Sequence, residues 1–111
     1  MGHTVKINIA KEFSRIPAGR LRTDGPYSGE RFREECLEPV LMKGDTVEVI
    51  FDGARGYGSS FLEEAFGGLV RDGVLISTAD LKRVTLVSKE DPSIAAEVRT
   101  YIENQISRSY G

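Results

Sequence analysis

The sequence predicts an α/β layer structure with a mixed β-sheet, on three observations. Segments in which apolar residues alternate with polar ones take turns with segments in which apolar residues recur at helical spacing. Glycine, proline and aspartate collect mainly between these segments. The chain has 111 residues, 40% of them hydrophobic and 29% charged, enough for one hydrophobic core and too few for two. The expectation is therefore a single domain over residues 1–111, with a sheet of about four to five strands packed against three main helices. There are no internal repeats and no low-complexity tract.

The elements follow in order. Val5, Ile7 and Ile9 alternate with Lys6 and Asn8, as in a half-buried strand. Pro17, Gly19, Gly25 and Pro26 then break the pattern, and Phe13 to Arg22 is read as a short edge hairpin with the first strand. A helix starts near Ser28 and places Phe32, Cys36, Leu37, Val40 and Leu41 on one face. Pro39 is its flaw: it lacks an N–H and clashes with the preceding turn, so a kink or an early end is expected there. Gly44-Asp45 turns the chain into Val47 to Phe51, the best candidate for a central strand. A second helix runs from about Ser59 to Arg71 and stops at Asp72-Gly73, where glycine suits a left-handed closing residue. Val74-Leu75-Ile76 is a short apolar run, Ser77 to Asp80 a turn or one-turn helix, and Val84 to Val87 a strand. Asp91-Pro92 opens a last helix whose face is Ile94, Val98, Tyr101, Ile102 and Ile106.

Composition removes several function classes. A formal net charge of −2 gives no general reason to bind nucleic acid or membrane. The single cysteine, Cys36, rules out an intramolecular disulfide and fits a reducing compartment. The start Met1-Gly2-His3-Thr4-Val5-Lys6 lacks the apolar core of a signal peptide. No apolar run approaches the roughly 18 residues that a spanning helix needs. A cytoplasmic protein is the expectation.

Catalytic motifs are incomplete. Gly58-Ser59-Ser60-Phe61-Leu62 is no nucleophile elbow, and His3 is the only histidine. The run Gly53 to Ser60 has no lysine and so is no P-loop. Gly56-Tyr57-Gly58 begins a dinucleotide fingerprint, but Phe61 takes the place of its third glycine. One histidine and one cysteine cannot build a standard zinc site. No enzymatic activity, cofactor or metal is expected.

The most distinctive stretch is the glycine-rich loop after Phe51 and the helix it enters. On that helix Phe61, Leu62, Ala65, Phe66, Leu69 and Val70 share the half that must face the sheet, while Ser60, Glu64, Gly67 and Arg71 fall together opposite. Glycine inside a helix costs about 1 kcal/mol relative to alanine, so Gly67 suggests the close approach of another protein. Ser60 and Glu63 have the spacing of a capping box, and Ser59 suits a cap one residue earlier. The compatible alternative is phosphorylation, which adds about −1.5 to −2 charge where the helix dipole favours it, with Arg55 nearby in sequence.

These residues also carry a resemblance. Gly19-Arg20, Asp24 to Arg33, Leu37 to Leu41 and Gly58 to Leu69 resemble the bacterial STAS-like domain family of unknown function, over roughly Val5 to Ser88. The resemblance implies a small STAS-type α/β domain, as in anti-sigma-factor antagonists, and a regulatory role in protein-protein interaction. It further implies a partner with a histidine-kinase-type ATPase fold, the anti-sigma factor, that phosphorylates a serine in the turn. Laid on this chain, the phosphoacceptor is Ser60, with Ser59 as its neighbour. Gly58 and Phe61 depart from the aspartate and glycine usual around that serine. The docking surface so implied comprises Tyr57, Gly58, Glu63, Glu64, Gly67 and Arg71. A second patch, Arg20, Arg22, Arg31 and Arg33, is either a solvated surface with pairs such as Arg31 and Glu35 or an anion contact. The alternative function is a nucleotide or small-anion binder that uses the glycine-rich loop, the helix N-terminus and Arg55, Arg20 or Arg31. Short edge strands also make a homodimer conceivable.

Overall fold

The computed structural model describes residues 2–111. Three strands, β1 (Thr4–Asn8), β2 (Thr46–Ile50) and β3 (Val84–Val87), form a parallel sheet in the order β1-β2-β3. In register, Ile7 pairs with Val49 and Val49 with Leu86 across the sheet, and Lys6 pairs with Glu48 and Glu48 with Thr85. The first set faces the core with Val5, Val47 and Val84, while Lys6 and Thr85 are exposed on the other face. The alternation expected for the first strand is realised at Val5 and Ile7, while Ile9 already belongs to the helical turn that follows.

A helical turn, α1 (Ile9–Glu12), follows β1 without a break. Asn8 caps it by accepting the Lys11 N–H at 3.1 Å, and the Phe13 and Ser14 N–H groups fold back onto the Ile9 carbonyl. The chain therefore cannot return along β1, and the hairpin expected over Phe13 to Arg22 does not form. Residues 14–27 instead loop over to the next helix, where the Gly29 and Glu30 N–H groups donate to the Gly19 and Arg20 carbonyls.

Helix α2 covers residues 29–42 and α3 residues 59–71; each is α-helical at both ends with one π turn between, Arg33–Leu37 and Glu63–Gly67. In α2 the Glu38 N–H donates to the Arg33 carbonyl, five residues back, just before Pro39. The wider turn accommodates the missing donor and the ring, so the helix continues to Met42. Ser28 caps α2 through its hydroxyl, which accepts the Arg31 N–H. Gly73 closes α3 at φ +76°, as expected. Helix α4 (Pro92–Tyr110) is capped by Asp91 and buries Val98, Ile102 and Ile106.

The sheet has three strands among the described residues rather than four to five, and it is parallel rather than mixed. Val74-Leu75-Ile76 looks like a strand only in composition: the Val74 and Leu75 N–H groups both turn back to the Leu69 carbonyl. Leu75 is buried as a plug and Ile76 is exposed, and the 3-10 helix Thr78–Arg83 follows. Helical crossovers between successive strands return the chain to the same end each time, which makes every pairing parallel. The core centres on Phe32, Phe51, Phe61 and Phe66, all buried, with Phe13 edge-on to Phe32 at 5.1 Å. No helix among the described residues is long and apolar enough to cross a membrane.

Candidate functional site

The loop between β2 and α3 is clamped from both sides. The Asp52 carboxylate accepts the Lys89 and Glu90 N–H groups at 3.2 and 2.8 Å, and the Glu90 carboxylate accepts the Gly53 N–H at 2.9 Å. Gly53 sits at φ +95°, which only glycine adopts freely, and the Arg55 N–H donates to the Arg15 carbonyl. The Tyr57 hydroxyl donates to the Phe51 carbonyl at 2.7 Å and its ring stands edge-on to Phe51. Burial pushes the Tyr57 phenol well above its ordinary range. Tyr57, expected at the docking surface, is a half-buried brace. Two backbone donors of the loop are thereby engaged internally, which leaves less of a phosphate cradle than the glycine count suggests.

Helix α3 starts at Gly58 in extended geometry, with Ser59 and Ser60 as its first two residues. Both serines are exposed, and among the described residues no side chain caps the helix. The capping reading of Ser59 and Ser60 is therefore not realised. Glu63 is turned away from the helix start because two arginines hold it: Arg20 at 2.6 Å and Arg71 at 2.7 Å. A charge-assisted pair with guanidinium is stronger than a bond to one backbone amide.

The stripe expected to be exposed is exposed only at its ends, Ser60 and Arg71; Glu64 and Gly67 are buried. A helical wheel locates the side opposite the sheet but not a neighbouring helix that covers it. Here α2 and α4 both pack on α3. Gly29 of α2 approaches so closely that a Cβ there would fall inside van der Waals contact with the Phe61 carbonyl oxygen. The space beside Gly67 is filled by the chain's own Glu63 carboxylate, and that beside Gly68 by the Arg33 guanidinium.

Arg33 is the residue that sequence reasoning misplaced. Its side chain is 6% exposed and reaches across to α3, where it donates to the Glu64 carbonyl at 2.6 Å and to the Glu64 carboxylate at 2.7 Å. Its Nε meets Asp72 at 3.0 Å and Glu38 at 3.3 Å. The other arginines of the patch scatter. Arg31 pairs with Glu35 at 3.1 Å and lies over the Phe13 and Tyr27 rings, Arg22 pairs with Glu34 and Glu35, and Arg55 lines a separate cleft with Tyr57 and Glu90. Arg20, Arg31 and Arg55 thus do not meet in one anion site.

The far end of this network holds an excess carboxylate. Burial, then the adjacent Asp72, pushes the Glu38 carboxyl up to about 7, with Arg33 offsetting part of the effect. Asp72 is held low by its hydrogen bond with Glu38 and by the Arg33 charge. Folding raises the Glu38 pKa above its ordinary 4.5, so the native state keeps a proton that the unfolded chain releases. Stability from this group is full below about pH 4.5 and is lost as pH rises through about 7. Glu38→Gln is expected to stabilise the protein by about 1–2 kcal/mol near pH 8, with no gain near pH 4, as read from urea melts. An equal effect at both pH values would show that Glu38 is not the titrating group.

A family model described as STAS-like domain of unknown function (DUF4325) matches residues 28–92, from the cap of α2 to the start of α4. The chain belongs to this family. No curated protein and no solved structure matches it. The STAS-like match takes in the serine turn, Arg33 and its carboxylate partners, but not Arg20 or the length of α4. Those outlying segments complete the surroundings of Glu63 in this STAS-like domain, where Arg71 also reaches Gln105 at 2.9 Å.

Proposed function

We infer that this STAS-like domain is a non-catalytic, cytoplasmic regulatory module that docks another protein through the start of α3. The observation that carries this reading is the combination of exposure and rigidity at the Ser59-Ser60 turn. Both serines are exposed, the helix start carries no side-chain cap among the described residues, and a Cβ at Gly58 would meet open space. The loop behind them is clamped by Asp52 and Glu90, so the surface is presented at little ordering cost. The docking residues are Gly58, Ser59, Ser60 and Arg71, with Glu63 at the edge; Glu64 and Gly67 act beneath them.

The partner in this reading is a histidine-kinase-type ATPase of the anti-sigma kind, and Ser60 is the residue it phosphorylates. A phosphate there stands one helical turn from Glu63 and Glu64, and its charge and hydration oppose close docking. Intact-mass measurement after incubation with an ATPase of this kind and ATP should show one added phosphoryl group, absent in Ser60→Ala. Ser60→Asp should weaken the complex by about tenfold or more. A protein that stays unmodified, and whose Ser60→Asp form binds as tightly as the parent, would remove the switch.

A further inference from the structure

A cleft of about 360 Å³ opens between α3 and α4. Its walls include Arg20, Glu63, Arg71, Tyr101, Asn104 and Arg108, from the 14–27 loop and both helices. The hydrogen-bonding capacity of these groups is unevenly spent. Glu63, the one acid in the wall, is saturated by Arg20 and Arg71. Arg71 also donates to Gln105 and Glu64. By contrast, neither the Arg108 guanidinium nor the Asn104 amide makes a side-chain hydrogen bond among the described residues, and Arg20 uses only one of its three nitrogens. What remains is almost entirely donor: two partly or wholly free guanidinium forks and an amide, facing one space.

Ordinary core formation does not call for this arrangement. Arg108 near the end of α4 is favoured by the helix dipole, but that accounts for one cation only. Arg20, Arg71 and Arg108 stand against two carboxylates, Glu63 and Glu64, and Arg33 also draws on Glu64. An excess of positive charge remains, and planar forks match the oxygens of a phosphate in pairs. Ser59 lies one turn before Glu63 on the same face of α3, and the Tyr101 hydroxyl in the cleft wall donates to the Glu97 carboxylate.

We propose that this cleft is a binding site for a phosphate dianion, esterified or free, held by Arg20 and Arg108 with Asn104 as a further donor. That group has two sources, a phosphoryl group on this chain's own Ser59 and inorganic phosphate free in solution. Ser59 is the better placed of the two serines, since Ser60 lies round the helix on the side of Glu64. The proposal does not depend on the docking partner: the cleft holds phosphate whether or not an ATPase recognises the serine turn.

Two measurements on the full chain test it. Inorganic phosphate is titrated at constant ionic strength into isotope-labelled protein, and the resonances of the Arg20 and Arg108 side chains and of Tyr101 are followed. Saturable shifts are expected, with affinity about tenfold weaker in Arg108→Ala. In the second, phosphoserine is encoded at position 59 and its phosphorus resonance is followed against pH. Its second pKa, ordinarily about 6, is expected to fall in the native protein relative to the same protein in urea, and to return towards that value in Arg108→Ala. Arg108 is exposed and bonds to nothing else described, so the variant should keep the parent melting temperature. A response to inorganic phosphate alone would assign the site to a free anion, and a response of phosphoserine alone would assign it to the chain's own serine. No saturable shift, together with a phosphoserine that titrates alike in the native and unfolded chain, would overturn the proposal.

Discussion

Replacement of Arg33 by methionine is expected to lower the unfolding free energy by about 3–5 kcal/mol near neutral pH, as read from urea or thermal denaturation. The side chain is 6% exposed and serves three carboxylates and one carbonyl on two elements. Without it, Glu64 keeps only Arg20 and Arg71, at 3.3 and 3.5 Å, and Glu38 loses its one cation. A buried carboxylate left without its partner costs far more than the pair contributed. Two comparisons separate this from a general loss of charge. Arg22→Met removes an arginine of the same sequence patch, whose side chain is 45% exposed, and should leave stability unchanged within error. Glu64→Gln combined with Arg33→Met should recover part of the loss, because the two residues share one network. The penalty should also shrink as pH falls and the stranded acids take up protons. An Arg33 variant as stable as the Arg22 variant would show that the guanidinium is not buried as described.

This residue marks where sequence reading stops. The strands were legible because one face of the sheet is buried and the other is not, which imposes a strict two-residue period on Val5 and Ile7 and on Val47 and Val49. The helices were legible from their apolar faces and from Ser28 and Gly73 at their ends. Composition alone could not separate Val74 to Ile76 from a strand, since a short apolar run carries no period. The serine turn was found as a pattern and lies exposed as expected. Its neighbours Glu64 and Gly67 were misread because α3 is the middle helix of three on one face, a property of packing order that no single helical wheel contains. Arg33 falls in a patch read as surface, either solvated or anion-binding, because charge predicts exposure as a rule. The available clue was elsewhere: Gly29 and Gly68 stand on facing helices, one clearing the Phe61 backbone and the other the Arg33 side chain. Arg108, which completes the cleft, carried no signal, since its only distinction is what α4 brings it close to.

Gly29→Ala is expected to destabilise the fold by about 2–3 kcal/mol, although alanine is the better helix former. A Cβ at this position would enter the Phe61 carbonyl oxygen and come within 3.1 Å of the Ala65 nitrogen. Both are backbone atoms of α3, so no side chain can swing aside, and α2 must move away from α3 as a whole. That movement also lengthens the bonds from Arg33 to Glu64, which span the same two helices. Gly67→Ala is the informative counterpart. There the Cβ would meet the Glu63 carboxylate, the free end of a flexible side chain, with Arg71 at 3.5 Å. The carboxylate can give way, and the gain in helix propensity of about 1 kcal/mol offsets the disturbed pair with Arg71. Gly67→Ala should therefore fall close to the parent in stability. Propensity alone predicts that both substitutions stabilise by similar amounts, whereas close helix packing predicts that only Gly29 is intolerant. Urea denaturation of the two variants side by side decides between these causes, and two variants of equal stability would show that α2 and α3 lie farther apart than their glycines imply.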